Sequence, residues 1–318
     1  MEAVAHHRPL LGVLCMSIGM FAISLNDMAL KALSGGYALH QIVLIRSVLG
    51  LVITAAILQL EGGFAALRVS NPWLHGVRAL FVVFANSAYY AAIVAMPLGT
   101  AAAIYFVAPL FVTLLAIPVL GETVGPRRIA AVAAGFGGVL VIMWPELGSA
   151  AGLGWVVLLP AIAAAGYASM SVLTRKLGAS APASVLAFWI QVAFILSSLV
   201  FFAVAGDGRF AEGPGVSDSA RFLLRAWVWP PAEDWWVFGC LGLIAGTVGY
   251  TMSQAYRLAA ASAVAPFEYL LLLYSLFWGW WIFGEWPGPS VLAGAAIIVS
   301  SGVYIVLRER RRPPRRRV

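Results

Sequence analysis

PVLGETVGPRR, residues 118–128, closes one long apolar run of the chain, and WIFGEWPG, residues 281–288, closes another. The two Gly-Glu pairs are 163 positions apart (121 to 284). At that offset Glu146 falls on Glu309, and the glycine-rich AAGFGGVLVI at 133–142 falls on AIIVSSGVYI at 296–305. Further upstream the match moves to an offset of 145, where LIRSVL, with Arg46, meets WIQVAF, with Gln191. The long connection 207–234 in the second half accounts for the change. The chain therefore repeats itself.

The repeated material is membrane helix. Of 318 residues 62% are hydrophobic and only 10% charged, with a mean hydropathy of +0.92, far from the roughly 25% charged residues of a soluble domain. A spanning helix needs about 20 mostly apolar residues. Ten segments qualify: 10–33, 38–60, 76–96, 100–120, 127–145, 153–174, 184–205, 235–256, 261–283 and 290–308. The first is too long for a signal peptide and lacks a small-residue cleavage site, so it reads as a retained span. Cys15 and Cys240 both fall inside apolar spans and read as packing residues, not a disulfide framework.

Five spans per repeat is an odd number, so the second copy enters the membrane from the opposite side. The expected fold is all-α and integral to the membrane: ten transmembrane helices as two inverted five-helix repeats, 10–145 and 153–308, followed by a basic tail, 309–318. Lysine and arginine collect on one side of such a layout. Arg8, Arg68, Arg127, Arg128, Arg175, Lys176, Arg257 and the seven arginines from Arg308 to Arg317 share it, against Arg209, Arg221 and Arg225 on the other. Both termini are therefore expected in the cytoplasm, and the tail is expected to meet anionic lipid and not nucleic acid.

Charges inside a membrane normally face a partner or a wet cavity. In span 1, Ser17, Met20, Ser24, Asp27 and Lys31 are spaced 3, 4, 3, 4 and share one stripe of a helix, with Asn26 beside it. Span 2 runs back from the same surface and brings Arg46 to nearly the depth of Asp27. Asp27, Lys31 and Arg46 then form either a structural ion-pair cluster or a binding site for substrate or a coupling ion. Other stripes are Arg78, Asn86 and Tyr90 on span 3, Tyr167, Ser171 and Thr174 on span 6, and Thr247, Tyr250, Gln254 and Arg257 on span 8, with Gln191 on span 7. Singly these are interhelical packing glue; as a set they describe a polar, aromatic cavity. Arg78 and Arg257 read as topology anchors near the cytoplasmic ends. Glu268, in APFEYLL on span 9, is expected about two turns from its cytoplasmic end, opposite the outer cluster. Glu122 and Glu285 read as helix-end residues, and the loop ending RAWVWPPAEDWW as an interfacial aromatic anchor.

Nothing enzymatic is assembled: the four histidines lie in the tail or near span ends, and there is no HExxH, P-loop or GxSxG. No cofactor or metal is expected.

With ten spans in two repeats, a Gly-Glu closing spans 4 and 9, and the arginine of QIVLIRS on span 2, the chain resembles the EamA family of the drug/metabolite transporter superfamily over residues 10–308. The resemblance implies an inverted-repeat bundle around a central cavity walled by spans 1, 3, 4, 6, 8 and 9, which carry Asp27, Asn86, Tyr90, Tyr167, Gln254 and Glu268. SLNDMALK, LHQIVLIRS and VAPFEYLLL look most like the branch containing carriers of S-adenosylmethionine and riboflavin. The proline of span 4, Pro109, is replaced at its repeat position by Leu272, so a hinge there is expected in one repeat only. The expected function is a secondary transporter in the plasma (inner) membrane. It would move a small polar or aromatic metabolite by alternating access, with a proton or ion as the candidate coupling partner. A non-transporting scaffold or receptor and an intramembrane enzyme are the alternatives, separated by flux in proteoliposomes.

Overall fold

The computed structural model describes residues 9–61, 63–67, 72–122, 124–148, 154–177, 183–213, 215–259 and 264–309. Arg8, Arg68 and residues 310–318, on which part of the topology argument rests, lie outside them, as do the side chains of Glu146, Arg257, Arg308 and Glu309. All regular structure among the described residues is helical: α1 (Pro9–Leu33), α2 (Leu39–Glu61), α3 (Pro72–Ala95), α4 (Leu98–Tyr105), α5 (Ala108–Leu120), α6 (Pro126–Gly148), α7 (Leu159–Leu177), α8 (Ala183–Ala205), α9 (Asp218–Leu224), α10 (Trp235–Leu258), α11 (Leu270–Phe283) and α12 (Pro289–Glu309), with short 3-10 turns between.

Among the described residues eight segments are long and apolar enough to cross a membrane: 10–33, 39–61, 72–95, 98–120, 126–145, 154–176, 184–205 and 232–252. Each coincides with one of the first eight expected spans. Within the expected ninth, a 3-10 turn, Ala265–Tyr269, precedes α11; within the tenth, Pro289–Ile305 is a shorter apolar stretch. The outward faces carry exposed Leu14, Ile18, Val52, Leu80, Leu140, Leu196, Val200 and Leu273. An apolar exterior suits a hydrocarbon solvent, which also leaves close van der Waals packing at small residues to join the helices. Accordingly α6 and α12 meet at Gly138 and Gly294, where a Cβ on Gly294 would stand 2.5 Å from the Gly138 carbonyl oxygen. The other closely packed pairs are α2 with α8, α3 with α7, α10 with α1 and α2, α5 with α7, and α11 with α1 and α4.

Local chemistry sets the helix ends. Prolines at Pro72, Pro126 and Pro289 begin α3, α6 and α12, where the missing N–H is no loss. Gly121 (φ 68°) and Gly284 (φ 67°) end α5 and α11 in the left-handed conformation. The next N–H then reaches back, Glu122 to Ala116 O at 3.2 Å and Glu285 to Gly279 O at 2.9 Å, so both Gly-Glu pairs close the same seven-residue cap.

Span 4 breaks at Phe106–Val107, just before Pro109, whose ring cannot continue the hydrogen-bond ladder. Leu272 stands at the repeat position of Pro109, and in the second half Pro266, six residues earlier, opens the 3-10 turn before α11; both segments are interrupted, but at different positions.

The connection 207–234 is not merely an aromatic skirt. Trp229 and Trp236 are exposed, but Phe222 of α9 is fully buried and Ser219 Oγ donates to Ala91 O at 2.7 Å. Arg225 donates to the carbonyls of Ser34 and Gly35, Val228 N–H donates to Gln41 Oε1 at 3.2 Å, and the Tyr37 hydroxyl donates to Asp234. The segment is bonded across the ends of α1, α2 and α3 as a cap. Tyr37, in the α1–α2 turn, has its phenol pushed up to about 12, by burial first and then by the Asp234 carboxylate it bonds.

Candidate functional site: a tyrosine-lined cavity with a buried polar network

The inward stripe of α1 is as spaced in the sequence: Met20, Ser24 and Asp27 are buried, and Lys31 is largely so. What they bond differs from expectation. Lys31 does not join Asp27; its Nζ pairs with Glu285 and also donates to Met96 O at 2.8 Å, while the other Glu285 oxygen accepts from the Leu98 N–H at 2.8 Å. One lysine thus ties the end of α1 to the α3–α4 and α11–α12 junctions.

Asp27 and Arg46 do lie together, 2% and 5% exposed, but Asn26 stands between them. Its Nδ2 donates to Asp27 Oδ1 at 3.1 Å and its Oδ1 accepts from Arg46 Nη1 at 2.7 Å. The Tyr90 hydroxyl accepts from both Asn26 and Arg46 at 3.1 Å, and the guanidinium sits 5.2 Å from the Tyr90 ring centre and 5.5 Å from that of Phe194. A carboxamide presents a donor and an acceptor at once, so Asn26 can satisfy a carboxylate and a guanidinium together. Arg46 Nε keeps no partner among the described residues, and Asp27 Oδ2 has none at hydrogen-bond geometry, its nearest polar neighbour being the Tyr89 hydroxyl, which is likewise unpartnered.

The free side of Asp27 faces a cavity of about 90 Å³ lined by Ile23, Asp27, Ala85, Asn86, Tyr89, Tyr90, Tyr105 and Leu271. That is room for several waters, since one needs about 10–15 Å³. Tyrosines dominate its wall: Tyr89 and Tyr90 ring centres are 6.0 Å apart, Tyr89 and Tyr105 4.9 Å, Tyr105 and Tyr167 5.9 Å. Tyr167, mid-helix on α7 and 40% exposed, extends the aromatic row beyond the residues that line the cavity. Asp27 and Glu268 both lie within electrostatic reach of Tyr105, and Glu268 also of Tyr167; the two acids address one tyrosine row.

Of the residues singled out from sequence, Asp27, Asn86 and Tyr90 line the cavity, and Arg46, Tyr167 and Glu268 adjoin its lining. Lys31 belongs to the ion pair at the bundle's end. Gln191 does not reach the cavity: its Nε2 donates to Ala245 O at 2.8 Å and sits over Gly50, between α2 and α10. Gln254 is half-buried on α10 and does not line the cavity. Three residues beside the cavity or in its wall were not singled out as candidates from sequence: Asn26, placed only beside the stripe, and Tyr89 and Tyr105. The signal for Asn26 was its adjacency to Asp27; for the tyrosines, only the bringing together of α3 and α4 reveals them. Among the described residues no cluster of histidine, cysteine, aspartate or glutamate could hold a metal ion.

A bundle of apolar helices with lipid-suited faces, broken helices at its centre and a polar cavity between them defines a multi-pass membrane protein with the anatomy of a transporter. The sequence profile of the EamA-like transporter family matches residues 10–144. A riboflavin transporter of Rhizobium johnstonii is 32% identical over 250 residues, 79% of this chain and 75% of that protein. An S-adenosylmethionine uptake transporter of Rickettsia prowazekii is 24% identical, over 78% of this chain and 76% of that one. A solved crystal structure superposes with a TM-score of 0.62 at 20% identity, covering 94% of this chain and 98% of its own, and so shares the fold. The chain belongs to the EamA-like transporter family. It is a secondary transporter of small molecules in a membrane, not an enzyme.

Proposed function

We propose that this protein carries a flat, heteroaromatic metabolite across the plasma (inner) membrane by alternating access. Ten spans in two inverted repeats, 10–145 and 153–308, form the carrier, with both termini and the basic tail in the cytoplasm. The carrying observation is the row Tyr90–Tyr89–Tyr105–Tyr167 beside a buried carboxylate with a free oxygen. Tyrosine faces stack on planar rings, and a free carboxylate oxygen accepts from ring N–H or hydroxyl groups. Riboflavin and S-adenosylmethionine, named for the relatives, share a flat heteroaromatic ring, which supports this substrate class.

The inverted repeat is supported by the packing. Exchanging corresponding spans of the two halves exchanges the α3–α7 contact with the α10–α1 contact, and the α5–α7 contact with the α11–α1 contact, while α2–α8 and α6–α12 map onto themselves. The ion pairs exchange in the same way. Lys31, at the end of α1, holds the Gly-Glu of the second half; Arg175, beside the position 145 residues on from Lys31, holds Glu122, the Gly-Glu of the first. Asp27, Asn86, Tyr90, Tyr167 and Glu268 are assigned to the substrate path, with Asn26, Tyr89 and Tyr105 added. Arg46 and Asn26 hold Asp27 in place, and Asp27 or Glu268 is the candidate carrier of a coupling proton.

The test is uptake of riboflavin and a panel of ring-bearing metabolites by proteoliposomes, with and without a pH gradient, beside thermal stabilisation of the purified protein. Saturable flux of a ring compound that falls in Tyr105→Leu is expected. A panel giving neither flux nor stabilisation overturns the substrate class.

A further inference from the structure

Arg78 is a buried cation that this scheme leaves without a task. It is 3% exposed, so its charge is held within the bundle and is not snorkelled to the surface. Its Nε donates to Thr174 Oγ1 at 3.0 Å, and Thr174 in turn donates to Met170 O at 2.8 Å. A hydroxyl supplies a dipole and no charge. Among the described residues no carboxylate stands within ion-pair distance of Arg78. One turn earlier on α3, His75 is 7% exposed with Nδ1 unpartnered. A buried guanidinium is costly unless an anion meets it, and its fork is shaped for the two oxygens of a carboxylate or phosphate.

Arg78 does not line the tyrosine-walled cavity, but α7 runs from its partner Thr174 to the tyrosine row. Tyr167, Ser171 and Thr174 lie on one stripe of α7, and Tyr167 stacks toward Tyr105. Thr174 is seven residues beyond Tyr167, about 10 Å along the axis. We propose that Arg78, assisted by His75, binds the carboxylate or phosphate of a transported metabolite whose ring reaches the tyrosine row. The substrate class is then a planar ring joined to an acid. This rests on the transport reading above. A cleft of about 670 Å³ between α3 and α8, lined by His75, Trp73, Trp189, Phe201, Ser197 and aliphatic side chains though not by Arg78 itself, makes a phospholipid phosphate the other source of the same chemistry.

The experiment compares riboflavin with riboflavin 5′-phosphate, and separately inorganic phosphate and acetate, as stabilisers of the purified full chain. In wild type the phosphorylated ring should bind at least tenfold tighter than the neutral one, and phosphate alone should raise the melting temperature. Arg78→Gln should abolish both effects while keeping the neutral ring's affinity. Arg78→Lys, which keeps the charge and loses the fork, should fall between, and decides the matter if the glutamine variant does not fold. Equal binding of the two rings by wild type together with no phosphate effect, or a preference surviving in Arg78→Gln, overturns the proposal. If phosphate stabilises through Arg78 but neither ring binds, the anion site stands and the ring reading fails. In nanodiscs, an Arg78-dependent shift with phosphatidylglycerol over phosphatidylcholine, without any soluble-anion effect, assigns the group to lipid and overturns the substrate role.

Discussion

Lys31 and Glu285, 254 positions apart, form an ion pair at one end of the span 98–120, and Arg175 and Glu122 form its counterpart at the other. Each joins the last turn of one helix to the Gly-Glu cap of a distant one. Their surroundings differ: the side chains of the first pair are 10% and 20% exposed, those of the second 50% and 32%.

The two glutamates should therefore differ in weight. Glu285→Ala strands a mostly buried ammonium and the Leu98 N–H, and should cost about 3 kcal/mol. Glu122→Ala should cost less than about 1 kcal/mol, as exposed pairs do. Thermal unfolding in one detergent checks the contrast; equal losses would mean that the first pair is as solvated as the second.

Asn26 should matter more to the network than a neutral amide ordinarily does. Asn26→Leu removes bonds to Asp27, Arg46 and Tyr90 and should cost about 3 kcal/mol, at the upper end for hydrogen bonds to charged groups. Because Asp27 and Arg46 meet through Asn26, the double-mutant cycle of Asp27→Asn with Arg46→Gln should show a coupling below about 1 kcal/mol when Asn26 is Leu. A coupling that persists undiminished would mean a direct Asp27–Arg46 pair.

Tyr105 should act on affinity. Tyr105→Leu removes the central ring of the row and should raise KM for a ring-bearing substrate about tenfold, equivalent to about 1.4 kcal/mol, whereas Tyr105→Phe should change it by less than about threefold. Flux measurements against substrate concentration separate KM from maximal rate.

The contact of α6 with α12 depends on two glycines. Gly294→Val would place side-chain atoms against the Gly138 carbonyl and Ile142, where even a Cβ stands at 2.4–2.5 Å. Parting the helices should lower stability by about 1–3 kcal/mol, as overpacking does. An unchanged unfolding temperature would show that the helices can separate freely.

The Tyr37–Asp234 bond should be insensitive to pH across the physiological range. With the phenol near 12 in the folded chain, above its ordinary value near 10, the neutral form is favoured by folding. Its contribution is complete below pH 10 and is lost as pH rises toward 12. The stability gap between wild type and Tyr37→Phe should be flat from pH 6 to 9 and close above 10.

The order of spans, the caps and the α1 stripe were legible because each rests on local rules. Apolar length marks a membrane helix, glycine in the left-handed region ends one, and a 3–4 spacing puts residues on one face. The pairing of Lys31 was not legible. Asp27 is one turn away in sequence, but its first oxygen is taken by Asn26 and Glu285 arrives from the far end of the chain. Gln191 illustrates the same limit: on a membrane helix a glutamine toward a cavity and one toward a neighbouring backbone have the same spacing, and only the seating of its amide over Gly50 separates them.

By itself, then, the sequence determined the class of fold and which side of α1 must be hidden, since those follow from how each segment partitions between water and lipid. The tertiary structure alone decided who meets whom inside: Asn26 as the hinge of the polar network, Tyr89 and Tyr105 as the cavity wall, Glu285 as the partner of Lys31. In a hydrocarbon solvent any buried polar group must find a partner, and which partner it finds depends on how the helices pack.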